Sequence, residues 1–129
     1  MFEVTVETEF CAAHAIRVGG VREPVHGHNW HVTVCVGAEA LDDDGLVCDF
    51  HALEGAVDEV VGPWRNNDLN ASAAFAGKNP SAELVARHIG EHVAAWARAS
   101  CREGVRVLWS RVTEAPGCAA LWRAEGEGR

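Results

Sequence analysis

Two stretches decide the fold: Phe2-Glu3-Val4-Thr5-Val6-Glu7-Thr8-Glu9-Phe10 near the start, and Trp30-His31-Val32-Thr33-Val34-Cys35-Val36 a little later. In the first, Phe2, Val4, Val6, Thr8 and Phe10 alternate with Glu3, Thr5, Glu7 and Glu9. In the second, Trp30, Val32, Val34 and Val36 fall on one parity. A period of two is the signature of a half-buried strand, whose successive side chains point to opposite faces. The second strand extends back to about His26. Gly19-Gly20 marks a turn between the two.

Working outward, Asp42-Asp43-Asp44-Gly45 reads as a solvated turn. A helix follows, with Asp49 as N-cap and Phe50, Leu53, Val57 and Val61 on one stripe. Residues 63–79, with Gly, Pro and four Asn, read as loop. Asn79-Pro80 reads as the N-cap and first position of a second helix. Glu83 lies near its positive end, and Val85, Ile89, Val93 and Trp96 form its stripe. Strands are expected over residues 105–113 and 119–124, separated by Pro116-Gly117. The order strand, strand, helix, helix, strand, strand predicts an α+β domain: a four-stranded antiparallel sheet with two helices on one face. One domain is expected over residues 1–125, with 126–129 as a flexible tail.

The chain has 129 residues, 48% of them apolar, enough for one core without disulfide staples. Its formal net charge of -8 at pH 7 argues against nucleic acid or an anionic membrane as partner, because both need a basic face. It leaves room for a small-molecule ligand in a local pocket. No apolar run reaches the roughly 18 residues of a membrane helix, and Met1 to Val6 lack a signal-peptide pattern, so a cytoplasmic location is expected. The five cysteines (11, 35, 48, 101 and 118) contain no CxxC pair and read as reduced thiols.

The chemistry concentrates in His26-Gly27-His28-Asn29-Trp30. Residues i and i+2 of a strand share a face, so His26 and His28 project side by side. Zinc accepts imidazole nitrogens at about 2.0–2.1 Å, and catalytic sites keep three protein ligands and an open position. A third ligand is available in His14, just beyond the first strand, if the two strands pair as a hairpin. On spacing alone, a His-x-His pair is as compatible with an incidental role as with ligation. His31 and His51 read as surface residues. His88 and His92, four apart on a helix, fit a partly exposed edge better than a metal clamp.

These residues resemble a known family. Phe10-x-Ala12-Ala13-His14 followed by His26-Gly27-His28-x-Trp30 is similar to the zinc signature of the 6-pyruvoyl-tetrahydropterin synthase and 6-carboxytetrahydropterin synthase family. Gly45-Leu46-Val47-x-Asp49-Phe50, Leu69-Asn70, Asn79-Pro80-Ser81-Ala82-Glu83 and Thr113-Glu114 with Trp122 resemble its further motifs in the same order. The resemblance implies the tunnelling fold, subunits joined through their sheets into a barrel, and commonly a homo-hexamer of two stacked trimers. It implies Zn2+ held by His14, His26 and His28, and Glu114 as the anchor of a pterin ring. A carboxylate suits that role because it accepts two parallel hydrogen bonds from the 2-amino group and ring N–H.

The chain also departs from the family pattern. The position of the usual catalytic Cys, four residues before the first His of His-Gly-His, is Arg22, which cannot act as a base. The next residue, Glu23, is a candidate base, and Glu-Pro at this point resembles a glutamate-using subgroup. The usual Asp-His proton-shuttling pair aligns with Arg65 and Asn66. Arg22 and Arg65, facing the pocket, would favour an anionic substrate, with Asn66 as a further substrate contact. The expectation is a zinc-dependent enzyme repurposed for a different lyase- or cyclase-type reaction. The alternatives are an authentic pterin synthase acting on 7,8-dihydroneopterin triphosphate through Glu23, and a non-catalytic module that binds zinc and a pterin-like ligand.

Overall fold

The computed structural model of the protein describes residues 1–126; the expected tail beyond Gly126 lies outside the described residues. The first alternating stretch forms β1 (Phe2–His14), and the second forms β4 (His26–Ala38). Between them a short hairpin, β2 (Arg17–Val18) and β3 (Val21–Arg22), makes a separate two-stranded sheet. Helix α1 (Phe50–Val61) and three short 3-10 turns lead through β5 (Asn67–Asp68) to helix α2 (Ala82–Ser100). Strands β6 (Arg106–Ala115) and β7 (Cys118–Arg123) complete the chain.

The main sheet runs β5-β1-β4-β6-β7. Its four long strands are antiparallel, as expected, but β5 adds a fifth and makes the sheet mixed. Asn67 and Asp68 pair in parallel with Ala12 and Ala13. Just before them, the Asn66 N–H donates to the Cys11 carbonyl at 2.7 Å. The returning chain thereby satisfies backbone groups on the open edge of β1. Two residues of Asn and Asp carry no alternation, which is why the sequence reads as loop there.

Both helices cover one face of the sheet, α1 over β1 and α2 over β6 and β7. The alternation holds where they lie: Val6, Phe10, Trp30, Val32, Val34 and Val36 are buried against Leu53, Val57, Val85, Ile89 and Val93. Phe2 and Phe50, expected on buried stripes, are each about half exposed. Phe2 pairs with Ala38 at the end of the sheet far from the histidines. The opposite face is polar and open, lined by Glu3, Glu7, Glu9 and Thr33.

Asp49 caps α1 as expected, accepting from the His51 N–H. The start of α2 differs from the sequence reading. Ser81, not Asn79, is the N-cap, accepting from the Leu84 N–H at 3.2 Å. The Asn79 side chain is instead engaged with the Arg17 backbone, accepting from its N–H and donating to its carbonyl. In the middle of α2 a glycine is required by a close approach. A Cβ on Gly90 would lie 2.2 Å from a ring carbon of Trp122 on β7. We expect Gly90→Ala to destabilise the fold by about 1–3 kcal/mol or more, because the indole must move within a packed layer. Thermal denaturation would read this as a melting temperature several degrees lower; an unchanged melt would show that Trp122 moves freely.

Candidate metal centre

The register of β1 on β4 builds the site. His14, the last residue of β1, pairs with His26, the first of β4, and Ala12 pairs with His28. All three histidines share parity with Phe10 and Trp30, so they lie at the histidine end of the core-facing side of the sheet. Their rings meet edge to face, with centroids 4.8 Å (His14–His26), 5.0 Å (His14–His28) and 4.7 Å (His26–His28) apart. His14 is wholly buried. The end of β1 is held by the 66–80 segment. Asn70 accepts from the Ala15 N–H and donates to the Ala15 carbonyl, and the Pro80 carbonyl lies 2.8 Å from His14 Nδ1.

The hydrogen bonds assign the tautomers. His14 Nδ1 donates to the Pro80 carbonyl, and His26 Nδ1 to the Pro24 carbonyl at 2.9 Å. Each pairing leaves Nε2 as the free lone pair, the outer-sphere pattern of metal-ligating imidazoles. Burial pushes the His28 pKa down, partly opposed by Glu114, which favours the neutral form that ligation needs. His28 Nε2 lies 2.9 Å from Glu114 Oε1 but off the hydrogen-bonding axis, so this buried atom has no hydrogen-bond partner. Glu114 Oε1 is also 2.9 Å from His14 Nε2. One ligand atom from each of His14, His26, His28 and Glu114 lies within 4.8 Å of all the others. Lone pairs converging in this way suit a cation among them, and imidazole nitrogen with carboxylate oxygen is a zinc donor set. The residues therefore fit the expected metal.

Glu114 has a neighbour that sequence reading did not give it. The resemblance gives it as a pterin anchor, and in the structure its carboxylate also reaches the histidine cluster. Only the pairing of β6 with β4 carries that information, and spacing along the chain does not show it. Glu23 Oε1 is 3.6 Å from His26 Nε2 and accepts from the Ile16 N–H at 3.2 Å, so the candidate base adjoins the cluster. Two clefts flank His28. One, of about 600 Å³, is bounded by Cys11, Ala13, Asn29, Asn66 and Asp68. The other, of about 390 Å³, is bounded by His31, Thr113, Glu114 and Pro116.

Asn66 thus lines a cleft, held at φ 60°, a left-handed conformation that asparagine tolerates. Asp68 is engaged as a cap, accepting from the Asn70 N–H. The two arginines lie elsewhere. Arg65 donates to the Glu9 carbonyl at 2.6 Å and pairs with Asp58 at 3.3 Å, along the outer edge of β1. Arg22 is exposed on the β2–β3 hairpin. Neither is among the residues that bound these two clefts, where the sequence reading expected pocket-facing arginines. The reason is local: Asp58 on α1 and the open carbonyl of Glu9 offer Arg65 partners that its sequence neighbours do not reveal. His31 and His51 are exposed as expected, and His88 packs against Trp64 and Phe75.

The chain is similar to known proteins over most of its length. The family model described as 6-pyruvoyl tetrahydropterin synthase matches residues 3–125. The chain is 31% identical over 101 residues to the 6-carboxy-5,6,7,8-tetrahydropterin synthase of Bacillus subtilis, covering 74% of this chain and 67% of that protein. It is 30% identical over 111 residues to a putative 6-carboxy-5,6,7,8-tetrahydropterin synthase of Archaeoglobus fulgidus, covering 86% of each. The fold superimposes on the 6-pyruvoyl tetrahydropterin synthase of Caenorhabditis elegans with a TM-score of 0.77 at 19% identity, over 97% of this chain and 98% of that one. The family match spans nearly the whole chain, and the chain belongs to the 6-pyruvoyl tetrahydropterin synthase family.

Proposed function

We propose that the chain is a zinc-dependent enzyme of this family that carries out a lyase- or cyclase-type biosynthetic step other than the pterin synthase reaction. One observation carries the reading: three histidines and Glu114 converge, while the positions that resemble the family's proton-handling groups hold other chemistry. The Arg65 guanidinium is committed to Asp58 and the Glu9 carbonyl, and Asn66 has no ionisable group. His14, His26 and His28 would hold zinc, which supplies Lewis-acid polarisation of a substrate oxygen when bound. Glu23 is the candidate base, Asn66 contacts substrate in the larger cleft, and Glu114 presents a carboxylate suited to the amino and N–H edge of a pterin-like molecule. The anionic-substrate expectation rested on Arg22 and Arg65 and loses that support. Incubation of the zinc-loaded protein with 7,8-dihydroneopterin triphosphate, followed by mass spectrometry, tests the reading. Ordinary turnover to a pyruvoyl or carboxy pterin would replace it with the authentic-synthase alternative, which the position of Glu23 beside His26 favours.

The proposed enzyme works as a homo-oligomer, a hexamer of two trimers, in the cytoplasm. No described helix is long and apolar enough to cross a membrane. Among the described residues the sheet leaves one side of β7 and most of the outer side of β1 unpaired, and exposed edges of this length are ordinarily paired or covered. Val18, Val21, Val25 and Leu121 are also exposed apolar side chains. Light scattering should therefore give at least three times the 13.9 kDa chain mass. A monomer at working concentration would overturn the assembly.

A further inference from the structure

We propose that Glu114 is itself a ligand of the metal centre, making it a four-ligand site of three imidazoles and one carboxylate. This rests on the zinc reading above and changes what that site does. The position of Glu114 within β6 is the first support. Ser110 and Val112 point into the core, and alternation carries Glu114 to the same face, toward the histidines. The β6–β7 register shifts between Thr113 and Ala115, where Thr113 pairs with Ala119 and Ala115 with Cys118. Glu114 is therefore the extra residue of a bulge, a device that re-aims one side chain beside a functional site.

The geometry is the second support. Oε1 lies 2.9 Å from both His14 Nε2 and His28 Nε2. A tetrahedral centre with bonds of about 2.0–2.1 Å has ligand–ligand edges of about 3.3 Å, close to those separations. Hydrogen bonding can account for the His14 contact but not for His28. His14 Nδ1 is paired with the Pro80 carbonyl, and His28 Nε2 is buried without a hydrogen bond although the carboxylate is within reach. A cation shared by all four groups satisfies every one of these atoms.

Four protein ligands close a site that three histidines would leave open, and the carboxylate offsets half the charge of a divalent ion. Glu114 would then have to release the metal, or share it, when a substrate oxygen arrives. Oε1 on the metal also leaves Oε2 as the main acceptor for a ligand's N–H groups, so metal ligation and anchoring compete for one side chain.

The test uses metal-free full-length chain and two probes, zinc alone and cobalt(II) alone. In wild type, cobalt(II) should give a four-coordinate visible spectrum that does not change between about pH 6 and pH 9, since no bound water is present to ionise in that range. Glu114→Gln should bind zinc on the order of 10-fold or more weakly in chelator competition, and its cobalt spectrum should become pH-dependent as water takes the vacated position. Unchanged zinc affinity and an unchanged cobalt spectrum in Glu114→Gln, with zinc lost in His26→Ala, would overturn the proposal and leave a three-histidine site. Zinc binding absent from wild type, or undiminished in His26→Ala, would remove the metal centre itself and the proposal with it. Should Glu114→Gln fail to fold, the wild-type cobalt titration decides alone: a water-ionisation change there overturns the proposal.

Discussion

Replacing His14 with alanine should reduce bound zinc from one per chain to background and should also weaken the fold. His14 is wholly buried, and its ring is held by the Pro80 carbonyl just ahead of α2. Truncation removes a metal ligand, orphans that carbonyl and leaves a cavity beneath Trp30, whose ring lies 5.0 Å from that of His14. A core truncation that strands a polar group costs about 2–5 kcal/mol, a large share of the roughly 5–15 kcal/mol that keeps a domain folded. His26→Ala provides the contrast. The His26 side chain is 36% exposed, so its loss should remove zinc while leaving the melting temperature of the metal-free chain nearly unchanged. Metal analysis and thermal melts on His14→Ala, His26→Ala and His28→Ala separate the two effects. Full zinc content in any of them would take that residue out of the site.

The second large effect concerns turnover. Conversion of 7,8-dihydroneopterin triphosphate to a 6-pyruvoyl or 6-carboxy pterin should be slower than an ordinary enzyme by about 10⁴-fold or more, because two general acid–base groups, each contributing about 10²- to 10⁴-fold, have no equivalent. The usual pair aligns with Arg65 and Asn66, and the usual cysteine with Arg22. Two are guanidinium ions, and the third is an amide held by its backbone to Cys11. Asp68, the nearest carboxylate in sequence, is occupied as a cap. Glu23 is the remaining base, 3.6 Å from His26 Nε2. Rapid turnover by wild type that Glu23→Gln abolishes would establish the glutamate-using pterin synthase and end the repurposing reading. Slow turnover in both proteins, with zinc bound at full occupancy, is the expected result.

The parts of the molecule differ in how far they could be read without coordinates. Strands β1 and β4 are legible because a two-residue period sustained over many positions marks an extended backbone with one buried face. Asp49 is legible because a cap acts on its own first turn. The start of α2 is misread because Asn79-Pro80 and Ser81 both offer cap chemistry. The choice falls to Ser81 once the Asn79 amide finds the backbone of Arg17, far away in sequence. Strand β5 is invisible because it exists only as a partner for the β1 edge.

The same division runs through the site. His26 and His28 share a face by strand geometry alone, and the family resemblance names His14 as their companion. That the three are neighbours depends on the pairing of His14 with His26, which hairpin closure across the β2–β3 turn sets. The arrival of Glu114 depends on the pairing of β6 with β4, and the withdrawal of Arg65 on an acidic partner in α1. Face and period are local properties of the backbone, so consecutive residues determine donor types and the side of the sheet that carries them. Coordination and pairing need atoms within a few ångströms, here from segments as far apart as residues 14 and 114. Only the packed sheet and helices bring those atoms together.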